Sequence, residues 1–192
     1  MANFMTINVN GIRNRLNRQT IFRKIKNSNV DICFIQESFI TDDIITDVKD
    51  DWEGNIIFSM GTNHSLGTMI LLDTNFEYNN LDVIHASTRI ICIKLEYDCE
   101  KYLLMSVYYP NEHNEKCIFH NEISLILDPY MQMNINIVVG GDYNCILNPA
   151  MDNIRGKPHN TREIDLFNKW VDHNELFDIW RLLNGNTKDL TT

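Results

Sequence analysis

Four apolar runs in this chain of 192 residues each stop at a polar cluster, which constrains both the fold and where chemistry can sit. The last run, Ile135-Asn136-Ile137-Val138-Val139, leads straight into Gly140-Gly141-Asp142-Tyr143-Asn144. Its β-branched content and bounding glycines predict a buried strand. Adjacent glycines let a backbone turn tightly and approach a ligand closely. Asp142 and Asn144 are therefore expected at the strand's C-terminal end, pointing into one cleft. A carboxylate there can hold a metal or orient a nucleophile, and an amide can contact a phosphate oxygen.

The other three runs end alike. Phe4-Met5-Thr6-Ile7 leads into Asn8-Val9-Asn10-Gly11, and Asp31-Ile32-Cys33-Phe34-Ile35 into Gln36-Glu37-Ser38. Leu103-Leu104-Met105-Ser106-Val107 leads into Tyr108-Tyr109-Pro110-Asn111. Any one of these could be an exposed polar residue after a strand. The ordered set, with Asn, Glu, Tyr and then Asp/Asn, resembles the endonuclease/exonuclease/phosphatase superfamily of metal-dependent phosphodiesterases. The nearer resemblance is to the endonuclease domain of LINE-type non-LTR retrotransposons, whose relatives include the AP endonucleases. It runs from Ile7 to Thr191, nearly the whole chain.

Composition sets the outer bounds. A chain of this length fits one domain with a substantial core. Its 44% hydrophobic and 22% charged fractions are those of a water-soluble globular protein. No apolar stretch approaches the ~20 residues that span a bilayer, and the N-terminus carries no charged-then-apolar leader. The five cysteines (Cys33, Cys92, Cys99, Cys117, Cys145) form no C-x-x-C pair. That predicts a reducing, intracellular compartment (nuclear or cytoplasmic) rather than secretion, and no zinc site. A monomer without membrane attachment is expected.

The formal charge of −9 argues against a nucleic-acid binder, because phosphate contacts want Lys and Arg. Its distribution softens the objection. Between Asn10 and Val30 lie Arg13, Arg15, Arg18, Arg23, Lys24 and Lys26 with no acid among them. Arg155, Lys157 and Arg162 form a second cluster after the Asp142 segment. Each cluster trails a polar strand end, so Arg13, Arg15, Arg18, Arg155 and Lys157, with Asn111, are the expected DNA contacts. Two solvated basic faces would explain the same charges.

Along the chain strands and helices alternate, with no linker, repeat or low-complexity segment. Helices are predicted over 18–29, 42–49 and 112–127, the last with Phe119, Ile123 and Ile126 on one face. Asn160 and Glu163 are spaced as an N-cap pair opening a further helix, with Ile164, Phe167, Trp170 and Val171 as its buried stripe. Strands are predicted over 55–59, 68–72, 81–85, 89–96 and 101–109 besides those above. Two β-rich halves with helices outside give an α/β fold, two mixed sheets packed face to face beneath helical layers. The resemblance implies the same four-layer sandwich, as one domain.

The resemblance also implies the chemistry. Phosphodiester cleavage needs a divalent metal, an activated water and donors around the phosphoryl oxygens. Mg²⁺, with Mn²⁺ as a substitute, takes hard oxygen ligands. Glu37 is the implied ligand, and Asn8 would share the metal or orient Glu37. Asn10 stands where relatives often carry Asp. Asp142 would align the attacking water, Asn144 would hold the scissile phosphate, and Tyr108 would donate to the phosphoryl group. Tyr109 reads as a core aromatic, and Asn111 is explained equally by a Pro-Asn turn. Asp152 lies where relatives carry an Asp-Arg pair, but Asn153 follows it, so no role is assigned there.

After Leu176-Phe177-Asp178-Ile179-Trp180-Arg181 the family continues with a Thr-aromatic strand, an Asp-bearing strand and a Ser-Asp-His ending. None of these occurs before Thr192. The expectation is an endonuclease domain lacking its last strands, weak or inactive and marginally stable. In a full-length element a reverse transcriptase would follow. Two other readings stay open: a phosphatase or phospholipase of the same superfamily, and a non-catalytic remnant that at most binds DNA through its basic clusters.

Overall fold

A computed structural model describes residues 2–145 and 161–185. The chain divides into two compact units, one of residues 1–109 with 133–143, the other of 110–132 with 144–192.

The first unit holds eight strands and two helices. In chain order they are β1 (Phe4–Asn8), α1 (Arg15–Asn27), β2 (Ile32–Gln36), α2 (Ile45–Asp51), β3 (Asn55–Phe58), β4 (Met69–Leu72), β5 (Asn79–Ser87), β6 (Ile90–Tyr97), β7 (Glu100–Tyr108) and, after an excursion through the second unit, β8 (Asn136–Asp142). They form two four-stranded sheets, ordered β1-β2-β4-β3 and β5-β6-β7-β8. Each sheet contains one parallel pair. β1 runs parallel to β2 with Asn8 level with Gln36, and β7 runs parallel to β8 with Tyr108 level with Asp142. The remaining pairs are antiparallel, so both sheets are mixed, as the sequence predicts.

Burial follows the side-chain alternation of a strand. Ile32 and Phe34 of β2, with Ile70 and Leu72 of β4, meet Ile91, Ile93, Leu95 and Leu104 of the second sheet in one core. Cys33, Ile35, Met69 and Leu71 point the other way, onto Phe22 and Ile25 of α1, Val48 of α2 and Trp52 just after it. β2 is therefore buried along its whole length, which accounts for its unbroken apolar run. Each such fully buried side chain contributes roughly 1.5–3 kcal/mol.

The second unit carries α3 (His113–Leu127), α4 (Thr161–His173) and α5 (Ile179–Asn184). Phe119 and Ile123 are buried as the periodicity predicts, but Leu127 rather than Ile126 completes the stripe. The buried face also carries Lys116 and His120, and on a helix of 3.6 residues per turn their inclusion moves its centre toward Leu127 and away from Ile126. Phe167 and Trp170 of α4 are buried, with Ile164 and Val171 half-buried beside them. The His120 ring stacks on Trp170 at 5.3 Å and 17°. Asn160, Arg155, Lys157, Asp152 and Asn153 lie outside the described residues.

Candidate active site

The two parallel pairs deliver polar residues to one end of the first unit. Asn8 closes β1, and its amide nitrogen Nδ2 donates to Glu37 Oε1 and to Asp142 Oδ2, each at 2.8 Å. The orientation of that amide is set by its other end, because Oδ1 accepts the backbone N–H of Asn10 at 3.1 Å. A backbone N–H can only donate, so the nitrogen must face the carboxylates. Asn8 thus bonds both Glu37 and Asp142 through its donor end. The carboxylates lie within two hydrogen-bond lengths of each other.

Glu37 sits one residue past β2 at φ 54°, in the left-handed region. That conformation costs a non-glycine residue roughly 1–2 kcal/mol. Backbone bonds on both sides hold it there: Gly11 N–H donates to the Glu37 carbonyl at 2.7 Å, and Ser38 N–H donates to the Gly67 carbonyl at 2.9 Å. Asn10 is also left-handed, at φ 47°; its N–H serves Asn8 and its side chain is exposed.

Gly140 and Gly141 correct a sequence expectation. They do not form a turn but lie inside β8. A Cβ on Gly140 would meet the Phe34 ring of the facing sheet at 2.2 Å, and one on Gly141 would meet the Val107 carbonyl oxygen at 2.2 Å. Glycine is needed at 140 because the facing sheet closes on it and at 141 because the neighbouring strand β7 crowds it, and the closure of the sheets lets Asp142 reach Asn8. Behind the carboxylates, buried Gln36 donates to Ser106 Oγ at 3.2 Å, a polar link between the sheets.

Tyr108 belongs to the same cluster. Burial chiefly raises its phenol to about 12; a hydrogen bond to the Glu37 carboxylate and that group's charge raise it further, while Arg89 opposes them. Arg89 places its guanidinium 5.1 Å from the Tyr108 ring centroid and donates to the Tyr108 carbonyl at 3.4 Å. The sequence reading passed over Arg89 because it stands alone before a strand; its register opposite the end of β7 was the available signal. Tyr109 is fully buried, and its N–H donates to the Asp142 carbonyl at 2.9 Å.

The basic segment resolves differently from expectation. Arg18 is 1% exposed: it donates to the Ile12 carbonyl at 3.0 Å and pairs with Asp51 at 2.6 Å, so it ties α1 to α2 and offers nothing to DNA. The correction has a simple cause, because Arg18 falls on the helix face shared with Phe22 and Ile25. Asp43 accepts hydrogen bonds from Arg13 and from Thr41, and these two bonds bring its carboxyl down to about 2. Lys26 pairs with Glu53 at 2.8 Å. Arg15, Arg23 and Lys24 are exposed. Asn111 is exposed before α3, and Asn144 stands at φ 45°, both in the second unit.

Mg²⁺ fits this donor set. Glu37 and Asp142 are half-buried carboxylates sharing one neutral amide, and a carboxylate oxygen such as that of Glu37 is the hard donor that Mg²⁺ takes. Among the described residues there is no group of three or more His, Cys, Asp or Glu able to hold a metal, so most of the ion's shell would be water and substrate oxygen. The five cysteines are free, and no helix among the described residues is long and apolar enough to cross a membrane.

No protein-family profile matches the chain. In sequence it is 24% identical over 187 residues, 97% of its length, to the transposon TX1 uncharacterized 149 kDa protein of Xenopus laevis, and spans 14% of that relative. In structure it is similar to an AP endonuclease from Archaeoglobus fulgidus, with TM-score 0.68 and 16% identity, covering 90% of this chain and 71% of the other. It is also similar to the endonuclease domain of TRAS1, a telomere-specific non-LTR retrotransposon, with TM-score 0.64 and 14% identity over 90% of this chain and 72% of that one. The chain thus has the α/β-sandwich fold of this AP endonuclease and of the TRAS1 endonuclease domain, and in sequence it is similar to a transposon protein.

Proposed function

We propose that this chain is a metal-dependent phosphodiesterase that nicks DNA, of the kind used for target-site cleavage by retrotransposons, and that it works inside the cell. The observation that carries the reading is the single Asn8 amide nitrogen holding Glu37 and Asp142 together beside the Tyr108 phenol. Glu37 would hold Mg²⁺, with Asn8 and the exposed side chain of Asn10, two residues on from Asn8, as the further candidates for its shell. The ion, when bound, neutralises charge that develops on the phosphoryl oxygens.

The chain's own residues do the rest. Asp142, held by Asn8, accepts a proton from the attacking water and aligns it for in-line attack. Tyr108, with its phenol raised to about 12, stays protonated at neutral pH and donates to a phosphoryl oxygen. Asn144 would hold the scissile phosphate through its amide.

DNA contacts fall to the exposed cations, Arg15 above all, with Arg89 at the Tyr108 ring and with Arg155, Lys157 and Asn111. Three paired cations out of six between Asn10 and Val30 weaken the alternative of a remnant that binds through that face alone. The function is tested by incubating excess protein with supercoiled plasmid and, in parallel, with a small phosphomonoester in Mg²⁺. Slow conversion to open circle with no phosphate release supports the nuclease. Phosphate release without nicking would replace it with the phosphatase reading.

A further inference from the structure

The buried ion pair of the second unit lies against a residue assigned above to the phosphate. Lys116 of α3 is a charged residue with a 6% exposed side chain, and its Nζ donates to Glu163 Oε2 of α4 at 2.9 Å. The same Nζ donates to the backbone carbonyl of Asn144 at 3.2 Å. Asn144 stands at φ 45°, a left-handed conformation that needs outside support even in asparagine. The Glu163 carboxylate, in the first turn of α4, accepts this bond through one of its two oxygens. Burying an ammonium is costly unless it is paired and its protons are used. A leucine or methionine would pack that position at no such cost, so the cation's use is its bond to the Asn144 carbonyl. Cys145, the next residue, has a half-buried thiol that senses both charges of the pair.

We infer that Lys116 and Glu163 form a positioning pair that locks the Asn144 backbone in the conformation from which its amide contacts the scissile phosphate. The inference rests on the phosphate role given to Asn144 above. Neither residue touches the reacting atoms; both act through Asn144.

The test uses the full chain and a double variant, Lys116→Met with Glu163→Leu, which replaces the pair by apolar side chains and so preserves stability. The probe is a phosphorothioate-linked DNA duplex, with affinity read by fluorescence anisotropy. Loss of a residue that orients a ligand-binding group costs about tenfold. The pair variant and Asn144→Ala should each weaken binding about tenfold, and the triple variant should be no weaker than either. Additive losses in the triple variant overturn the inference. A second readout does not depend on DNA: the amide resonances of Asn144 and Cys145 should shift and exchange faster in the pair variant. Unmoved resonances overturn the inference whatever the affinity. Resonances that move while Asn144→Ala binds like the parent leave the clamp standing and remove the phosphate role of Asn144.

Discussion

Asn8 and Asp142 stand 134 positions apart in the chain, yet the amide nitrogen of one lies 2.8 Å from a carboxylate oxygen of the other. The same nitrogen reaches Glu37, so the first and last strands of the first unit meet on one neutral donor. Replacing that donor by a third acid exposes what the arrangement is built to bear. Asn8→Asp should lower the melting temperature in chelator through like-charge repulsion. Mg²⁺ should then raise it by more than it raises the parent, since a cation that binds only the folded state stabilises it by mass action. A differential scanning measurement with and without Mg²⁺ checks this; equal metal-induced shifts in both proteins would count against the site.

Gly140→Ala should destabilise the protein by about 1–3 kcal/mol, the usual cost of overpacking a closed core. Its Cβ would fall 2.2 Å from a ring carbon of Phe34, which is itself only 2% exposed and has no room to move. Urea unfolding measures the loss, and Phe34→Leu in the same chain should recover part of it. An alanine variant as stable as the parent would show that the sheets do not close tightly at that contact.

The fold was legible because its signal is local. Eight apolar runs gave eight strands, and the four polar strand ends that caught attention in the sequence include Asn8, Glu37, Tyr108 and Asp142, now found in one cluster. What failed was whatever depended on a distant partner. The glycine pair looked like a turn because Phe34, which requires Gly140, is far off in sequence. Arg18 looked like a DNA contact because its acceptor Asp51 lies 33 positions on, and nothing in a basic run says which cation faces inward. Arg89 carried no cluster to announce it.

Arg18→Met should cost about 3 kcal/mol, because it strands the Asp51 carboxylate at the junction of α1 and α2. It should leave the DNA affinity of the folded protein unchanged, whereas Arg15→Ala should weaken it and flatten its salt dependence. Chemical denaturation and a salt titration of DNA binding separate the two. A weaker, less salt-dependent affinity in Arg18→Met would restore it to the DNA-binding face.

Tyr108 sets an alkaline limit. Its folded pKa is raised from 10.0 to about 12, so the folded state holds the phenol proton more tightly than the unfolded chain. The stability this provides is fully present below pH 10.0 and is lost as the pH rises through about 12. Tyr108→Phe should abolish that slope, and ultraviolet absorbance of the parent should show one tyrosine ionising late. A Tyr108 that ionises with the exposed tyrosines would contradict its place beside Glu37.

His120 gives the opposite sign. Burial, with Lys116 adding, lowers it from 6.5 to about 4, so the unfolded chain takes up the proton first. Stability should fall as the pH drops from 6.5 through about 4, and His120→Phe should remove that dependence while keeping the stack on Trp170. Equilibrium unfolding across that range is the check; an unchanged acid limb in the variant would place the titrating group elsewhere.

Calorimetric titration of Mg²⁺ into the full chain tests the site itself, independently of turnover. Binding at one site by the parent, about tenfold or more weaker in Glu37→Gln and kept by Arg18→Met, is the predicted result. Glu37→Gln binding Mg²⁺ as well as the parent would show that the carboxylates gathered by Asn8 are not a metal centre.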